Sequence, residues 1–325
     1  MSSGAYQPGI SILICSRDRR QDLKRITDDL KSMRTRHEFE IVVVEETDNP
    51  YPIEGVTYIP HPVKNFGFPY ARNLSVAGST GGIIVFVDDD CRINDGWLDN
   101  LLRPFEDASV MGVQGGVTVP GDTNAIGWVE SILGFPGGGI GRIIKARGEQ
   151  RSTIEISTLN CAYRRSVIEA VGGFDHRLKT GGQDYLLAKK TCSVGKCVFA
   201  PDAVVEHRAR GSLREIWRWF LRRGRAEIGV VHTGEYAEAN WFSVLRGSLT
   251  VKFGLFSSLC LALSMRWLIT IPAFFLLYSL VQYLRNHSVW KKSNAPLRSL
   301  LLLPLVKFIM DAAMDAGRLR GIFHD

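Results

Sequence analysis

Short apolar runs alternate with amphipathic stretches over the first half of the chain. Ile10 to Cys15, Phe39 to Val44, Val56 to Ile59 and Ile83 to Val87 are brief, rich in β-branched residues and bounded by glycine, proline or charge, which predicts buried strands. Between the first two, Leu23, Ile26, Leu30 and Met33 recur at helical spacing, so Arg19 to Met33 reads as a helix with one apolar stripe. Another helix begins near Pro69, a third covers Gly96 to Phe105 with Asp95 as its cap, and Val110 to Val119 supplies one or two further strands. This alternation predicts an α/β fold, a mostly parallel sheet flanked by helices, in which ligands gather at the carboxyl ends of the strands.

The pattern changes after about residue 243. Phe253 to Leu284 is nearly all apolar, broken only by Arg266, and its longest clean piece, Trp267 to Leu284, has the length of a membrane span. Arg246 and Lys252 precede this stretch and Arg285, Lys291 and Lys292 follow it, so a two-helix hairpin would keep both flanks on the cytoplasmic side. The turn at Arg266 is tight for a hairpin, and a single re-entrant or in-plane arrangement is the alternative. Residues 297–316 read as amphipathic, with Leu300 to Met314 too short to span and expected at the interface. Upstream, Ser212-Leu213-Arg214-Glu215 is a capping box that opens a helix carrying Trp217, Trp219, Phe220, Arg222 and Arg223. The expected organisation is therefore an α/β domain over residues 1–230, with an interfacial helix from about 212, followed by a membrane-associated helical region over 231–325.

Charge and cysteines narrow the setting. Forty Lys and Arg against 33 Asp and Glu give a net +7, which suits an anionic ligand or an anionic membrane surface. Nucleic acid is not expected, because the basic residues are not interleaved with aromatics on a recognition module. The six cysteines are scattered and lack a zinc-like spacing with histidine, which points to reduced thiols in the cytoplasm. Ile10 to Cys15 is too short for a signal peptide and has no basic n-region before it, so the bulk of the chain is not expected to be exported, and any catalytic part is expected to face the cytoplasm. Gly134 to Gly141 lacks the Lys-Ser/Thr ending of a P-loop and reads as a mobile loop or lid.

The candidate chemistry sits where the Ile83 to Val87 strand ends, in Asp88-Asp89-Asp90. Three adjacent acids repel unless something positive sits among them. If the chain stays extended, Asp88 and Asp90 point to one side and Asp89 to the other. Two carboxylates on one side suit Mg2+ or Mn2+ shared with a diphosphate. The bland alternative is an acidic loop or a helix cap, for which one acid suffices.

Several other stretches accompany the acids: Asn65-Phe66-Gly67, Ala71-Arg72-Asn73, Asn160-Cys161-Ala162, Gly172-Gly173-Phe174-Asp175 and Gly182-Gln183-Asp184. In this order and at these spacings the set resembles the family 2 glycosyltransferases of the GT-A fold, over roughly residues 9 to 230. The resemblance implies an inverting, metal-dependent transfer from a UDP-, GDP- or dTDP-sugar. It puts Ser16, Arg17, Glu45 and Glu46 at the nucleobase and ribose, Glu45-Glu46 departing from the usual Asp-Asp by a methylene each. Asn65, Arg72, Asp88 and Asp89 fall beside the nucleotide-sugar; for Arg72 a helix-face ion pair is the alternative. Asp90 becomes the metal-binding acid of the DxD motif, and His207 matches a histidine that some members use as a further metal or diphosphate ligand.

Asp184 matches the second acid of the family's Glu-Asp pair, the base candidate that takes the acceptor's proton. Gln183 replaces the first, which removes a like charge that would raise the base's pKa. On local sequence alone Asp184 reads equally well as the cap of a helix over Tyr185 to Cys192. Arg222, Arg223 and Arg225 either close over the departing diphosphate or meet lipid headgroups. The expected acceptor is a lipid-linked saccharide or other glycan hydroxyl at the cytoplasmic membrane face. A polyprenyl-phosphate acceptor, which needs no base, and a catalytically degenerate scaffold are the rival readings. A processive synthase is not expected, because no Gln-x-x-Arg-Trp motif occurs between Arg208 and Ala226.

Overall fold

The computed structural model describes residues 9–235, 239–263 and 267–323. The chain opens with β1 (Ile10–Arg17), α1 (Arg20–Ser32), β2 (Phe39–Glu46), β3 (Thr57–His61), α2 (Phe68–Ala77), β4 (Ile83–Val87), β5 (Cys91–Ile93) and α3 (Trp97–Leu102). These follow the hydrophobic pattern closely. β1, β2 and β4 are covered on both faces, so their continuous aliphatic runs are buried throughout, and α1 turns Leu23, Ile26 and Leu30 onto the sheet.

Asp95 is not the cap expected of it. Gly96, at φ 77°, precedes α3, and Asp95 instead accepts a hydrogen bond from the Arg34 backbone N–H at 3.0 Å. α3 also stops at Leu102, and Arg103–Glu106 continues as a 3-10 turn, because Pro104 has no N–H to carry an α-helical ladder onward.

The chain continues through β6 (Val110–Thr118), α4 (Ala125–Ile132), α5 (Gly139–Ala146), β7 (Arg151–Ser152), β8 (Asn160–Arg164), α6 (Arg165–Ala170), α7 (Gln183–Val194) and β9 (Lys196–His207). Within the glycine-rich stretch the last three residues already belong to α5, so only its first part is the loop that was expected. The nine strands form one mixed sheet in the order β3-β2-β1-β4-β8-β6-β9-β5, with β7 on β9. β1 to β4 run parallel, which brings their carboxyl ends to one edge. β8 lies antiparallel between β4 and β6, and β5 pairs antiparallel with the end of β9.

Contacts divide the chain into two compact units. The first comprises the residues up to Pro120, Lys145–Lys179 and Gln183–Arg208, and holds the sheet. The second comprises Gly121–Ile144, Thr180–Gly182 and the chain from Ala209 on. It contains α4 and the helices α8 (Leu213–Thr233), α9 (Trp241–Gly247), α10 (Leu249–Ala262), α11 (Trp267–Lys292) and α12 (Leu297–Phe323). The capping box is present: Ser212 accepts from the Glu215 N–H, and the Glu215 carboxylate accepts from the Ser212 N–H at 3.1 Å.

α12 corrects the expectation for the last helix. It runs 27 residues, and Leu303, Val306, Met310 and Ala313 are buried with Ile216 and Phe220 of α8 and Val129 of α4. A Cβ at Gly317 would come 2.0 Å from the Leu221 carbonyl, and one at Gly224 would come 2.1 Å from that of Met314. Glycine on both partners lets the backbones touch, so this helix is a core element of its unit.

Among the described residues no single helix is long and apolar enough to cross a membrane. α9 and α10, bent by 68° at their junction, pass the same test only as a pair. The turn expected at Arg266 lies outside the described residues.

Candidate metal and nucleotide-sugar site

The parallel register places the candidate residues before their chemistry is considered. Ser16 lies beside Glu45, Arg17 beside Glu46, and Glu46 beside His61, all at the carboxyl ends of β1, β2 and β3. β4 ends next to them, and Asp88 follows. The chain then turns instead of staying extended: the Cys91 N–H donates to the Asp88 carbonyl at 3.2 Å. The division of labour expected for an extended chain nonetheless holds, because a turn also separates the middle acid from its neighbours.

Asp88 and Asp90 share a group with His207, in which one ligand atom of each lies within 4.8 Å of the others. His207 is far from Asp90 in the sequence; it arrives because Cys91 pairs with it across the β5–β9 ladder. Its Nε2 sits 3.1 Å from Asp90 Oδ1, close to the roughly 3.0 Å between adjacent positions of an octahedral shell with bonds of about 2.1 Å. Two carboxylates and an imidazole in this arrangement fit a small divalent cation.

Asp89 turns the other way. It accepts from Ser16 Oγ at 2.7 Å and from Arg19 Nη1 at 3.0 Å, and the same guanidinium nitrogen reaches Asp90 Oδ2 at 2.9 Å. Arg19 is a site residue that sequence reasoning missed, although its place two residues past β1 was a usable clue. Burial pushes the Asp89 carboxyl up to about 6, against the opposing effects of Ser16 and Arg19. Burial acts on Asp90 too, but the hydrogen bond and charge of His207, with Arg19 added, hold it well below the usual carboxylate range. Asp88 is raised, first by burial, with the charge of Arg72 opposing it.

Arg72 is the least ordinary side chain of the set. It lies only 8% exposed on α2, over the rings of Phe68 and Phe174, and its Nη1 is buried without a hydrogen-bond partner among the described residues. An ion pair on a helix face is therefore the wrong reading of it. A buried guanidinium nitrogen with no protein acceptor, beside an acid that makes no side-chain hydrogen bond among the described residues, is an unfinished arrangement.

Glu45 is 1% exposed and accepts the Tyr58 hydroxyl at 2.5 Å, so Tyr58 of β3 is a second residue the sequence did not single out. Glu46 accepts the backbone N–H groups of Lys64 and Asn65 at 3.2 and 2.8 Å, which shapes the loop after β3. Asn65 in turn accepts from Arg17 at 2.8 Å. Asp184 sits in the first turn of α7, accepts from the adjacent Tyr185 N–H at 2.9 Å and contributes charge at Asp88, while the Oε1 of its neighbour Gln183 is buried without a partner.

Two of the sequence motifs are explained by structure alone. Asn160 is fully buried: it accepts from Trp97 Nε1 at 2.9 Å and donates to the carbonyls of Gly116 and Ala203 at 2.8 Å each, pinning β8 to its neighbours beside Asp88. Asn73 exchanges two hydrogen bonds with the backbone of Phe174, at 2.8 and 2.9 Å, which ties α2 to the Gly172-Gly173-Phe174-Asp175 turn. Arg222, Arg223 and Arg225 belong to α8 in the second unit, where Arg223 lies over the rings of Phe135 and Trp219.

The profile of the family described as Glycosyl transferase family 2 matches residues 11–172. The chain is 25% identical over 232 residues to the pre-mycofactocin glycosyltransferase of Mycobacterium tuberculosis, covering 68% of this chain and 46% of that one. It is 28% identical over 162 residues to the glycosyltransferase AglE of Haloferax volcanii, covering 49% and 50%. The chain thus spans about half the length of these curated relatives. Among solved structures it resembles a mannosyltransferase of Pyrobaculum calidifontis in complex with GDP-mannose and Mn2+, with a TM-score of 0.59 at 16% identity over 98% of this chain and 88% of that one. That likeness is one of fold, and the mixed α/β arrangement is GT-A-like.

Proposed function

We propose, from the premise that the chain belongs to glycosyl transferase family 2 and is a glycosyltransferase, that it moves a sugar from a nucleoside diphosphate to an acceptor hydroxyl with inversion. The observation that carries this reading is the open end of the site: Asp88, Asp90 and His207 converge beside a buried Arg72 whose Nη1 has no protein acceptor. A diphosphate would complete both. Mg2+ or Mn2+ held by Asp88, Asp90 and His207 would supply positive charge at the leaving phosphate.

The chain's own residues perform the rest. Arg72, desolvated and permanently charged, holds a phosphate oxygen by a charge-assisted hydrogen bond. Ser16 and Arg19 fix Asp89, so the turn that presents Asp88 and Asp90 is set before the donor arrives. Glu45, Tyr58 and Arg17 lie at the adjoining strand ends, where a base and ribose would be read. The acceptor oxygen attacks the anomeric carbon from the face opposite the diphosphate, the glycosidic C–O bond to phosphate breaks, and Asp184 takes the hydroxyl proton. Gln183, as a neutral neighbour, spares Asp184 a second negative charge.

A lipid-linked saccharide on the cytoplasmic side of a membrane is the acceptor this reading favours. Six free thiols, two of them in contact at Cys192 and Cys197, suit a reducing compartment, and the second unit exposes a large apolar surface. The reading is tested by donor hydrolysis and thermal stabilisation of the detergent-purified chain with UDP-, GDP- and dTDP-sugars, each in Mn2+, in Mg2+ and in EDTA. One nucleotide series stabilising and turning over only with metal is the expected result. Equal stabilisation by every donor in EDTA would overturn it.

A further inference from the structure

From Trp241 to Met310 the chain contains eight Lys and Arg and no Asp or Glu, so this segment carries +8 while the remainder, with one more acid than base, carries −1. The same segment carries the exposed apolar surface: Leu255, Leu259, Leu276, Leu280 and Leu284 are each more than half exposed, and Phe242 is 73% exposed. A soluble monomer rarely presents this much aliphatic surface on one run of helices without a partner.

The fold sorts charge from apolar surface. Phe274 of α11 packs on Phe253 and Phe256 of α10, with ring centroids 5.1 and 5.5 Å apart. These residues lie at similar distances on either side of the connection between the two helices, so α10 and α11 fold back on each other. Lys252 at the start of α10 and Arg285, Lys291 and Lys292 towards the end of α11 therefore lie on the same side of the Phe274 contact, away from the connection. Arg266 is the sole charge in the sequence between 253 and 284. α9 meets α10 at 68° and carries Arg246, which with Asn240, Phe242 and Ser243 lines a cavity of about 480 Å³. α10, with 14 residues, is about 21 Å long, short of the roughly 30 Å of a hydrocarbon core.

We propose that this helical unit docks on the surface of an anionic bilayer, with the α10–α11 pair entering the near leaflet and Arg246, Lys252, Arg285, Lys291 and Lys292 at the headgroup phosphates. The bases match the negative leaflet, the apolar stretches of the two helices match its acyl region, and a helix too short to cross can still enter. A second copy of the chain would meet the same cations with its own and gain no such match. The proposal rests on the lipid-linked acceptor reading for its purpose only, since docking needs no sugar transfer.

The test is flotation of the full chain, after detergent removal, with phosphatidylcholine vesicles containing or lacking phosphatidylglycerol, alongside nucleotide-sugar hydrolysis by the same samples. The chain is expected to float with the anionic vesicles. Leu255→Asp with Leu259→Asp is expected to abolish flotation, and Arg285→Glu with Lys291→Glu and Lys292→Glu to weaken it about 100-fold or more, from about tenfold or less per base at an anionic surface. Both variants change exposed residues and should keep hydrolysis. A wild-type chain that stays at the bottom of the gradient, or apolar variants that float as it does, would overturn the proposal; so would a discrete dimer that ignores vesicles. Loss of hydrolysis with flotation intact would count against the catalytic reading and leave docking standing.

Discussion

Each unit buries a set of charges, and the two sets are finished differently. In the helical unit, Asp315 accepts from Ser248 Oγ, from the Thr250 N–H and from Thr250 Oγ1 at 2.8 to 2.9 Å, and from Arg318 Nη1 at 2.8 Å. Arg318 spends its other nitrogens on Glu227, at 2.8 and 3.2 Å. Every charged group there has protein partners, and the cluster ties α8, the α9–α10 junction and α12 together. At the sheet edge, Asp90 and Asp89 are partnered, but Asp88 makes no side-chain hydrogen bond among the described residues and Arg72 Nη1 has none. A closed cluster reports on folding. An open one, kept in a buried place where unmet polar groups are costly, reports on a ligand that completes it.

The contrast makes predictions that separate activity from stability. Asp90→Ala is expected to lower sugar transfer by about 10³-fold or more, measured as initial rate, with only a modest fall in melting temperature from the lost contacts to His207 and Arg19. Arg318→Ala should do the reverse. Leaving Asp315 and Glu227 buried without their cation is expected to cost about 3–5 kcal/mol in denaturant unfolding, with no change in donor KM for the protein that remains folded. Arg72→Met should raise the donor KM by about 10- to 100-fold through loss of a charge-assisted bond, with a stability change much smaller than that of Arg318→Ala.

The smallest effect concerns Asp89. Its carboxyl is pushed up to about 6 by burial, above the roughly 3.9 of an unfolded chain. The folded protein therefore takes up this proton first, and stability falls as pH rises from about 4 through 6. In EDTA, Asp89→Asn is expected to raise the melting temperature by a few degrees at pH 8 and to lose that advantage below about pH 4. Calorimetry across that range checks it, and an unchanged difference at every pH would show that Asp89 does not carry the titration.

How much of this was legible in the sequence follows from the range of the contacts. β1, β2 and β4 and helix α1 were readable because one segment's burial pattern decides them. The three acids stood out because like charges in a row need a local reason. His207 was recognisable only through family resemblance, since what brings it to Asp90 is the β5–β9 pairing across more than a hundred residues. Tyr58 reaches Glu45 through strand register in the same way. The burial of α12 was misread because its apolar pattern is diffuse, and the evidence for its packing lies in the pairing of Gly224 with Met314 and Gly317 with Leu221 on separate helices. The Arg72 assignment needed burial, which spacing cannot give.

The most direct test of the central claim is electron paramagnetic resonance of Mn2+ titrated with the detergent-purified chain, with and without the stabilising nucleotide-sugar. The free-ion signal is expected to fall as protein is added, to fall further when the donor is present, and to return to the free level with Asp90→Ala. A free-ion signal that neither the wild-type chain nor the donor complex diminishes, or one that Asp90→Ala diminishes equally, would contradict it.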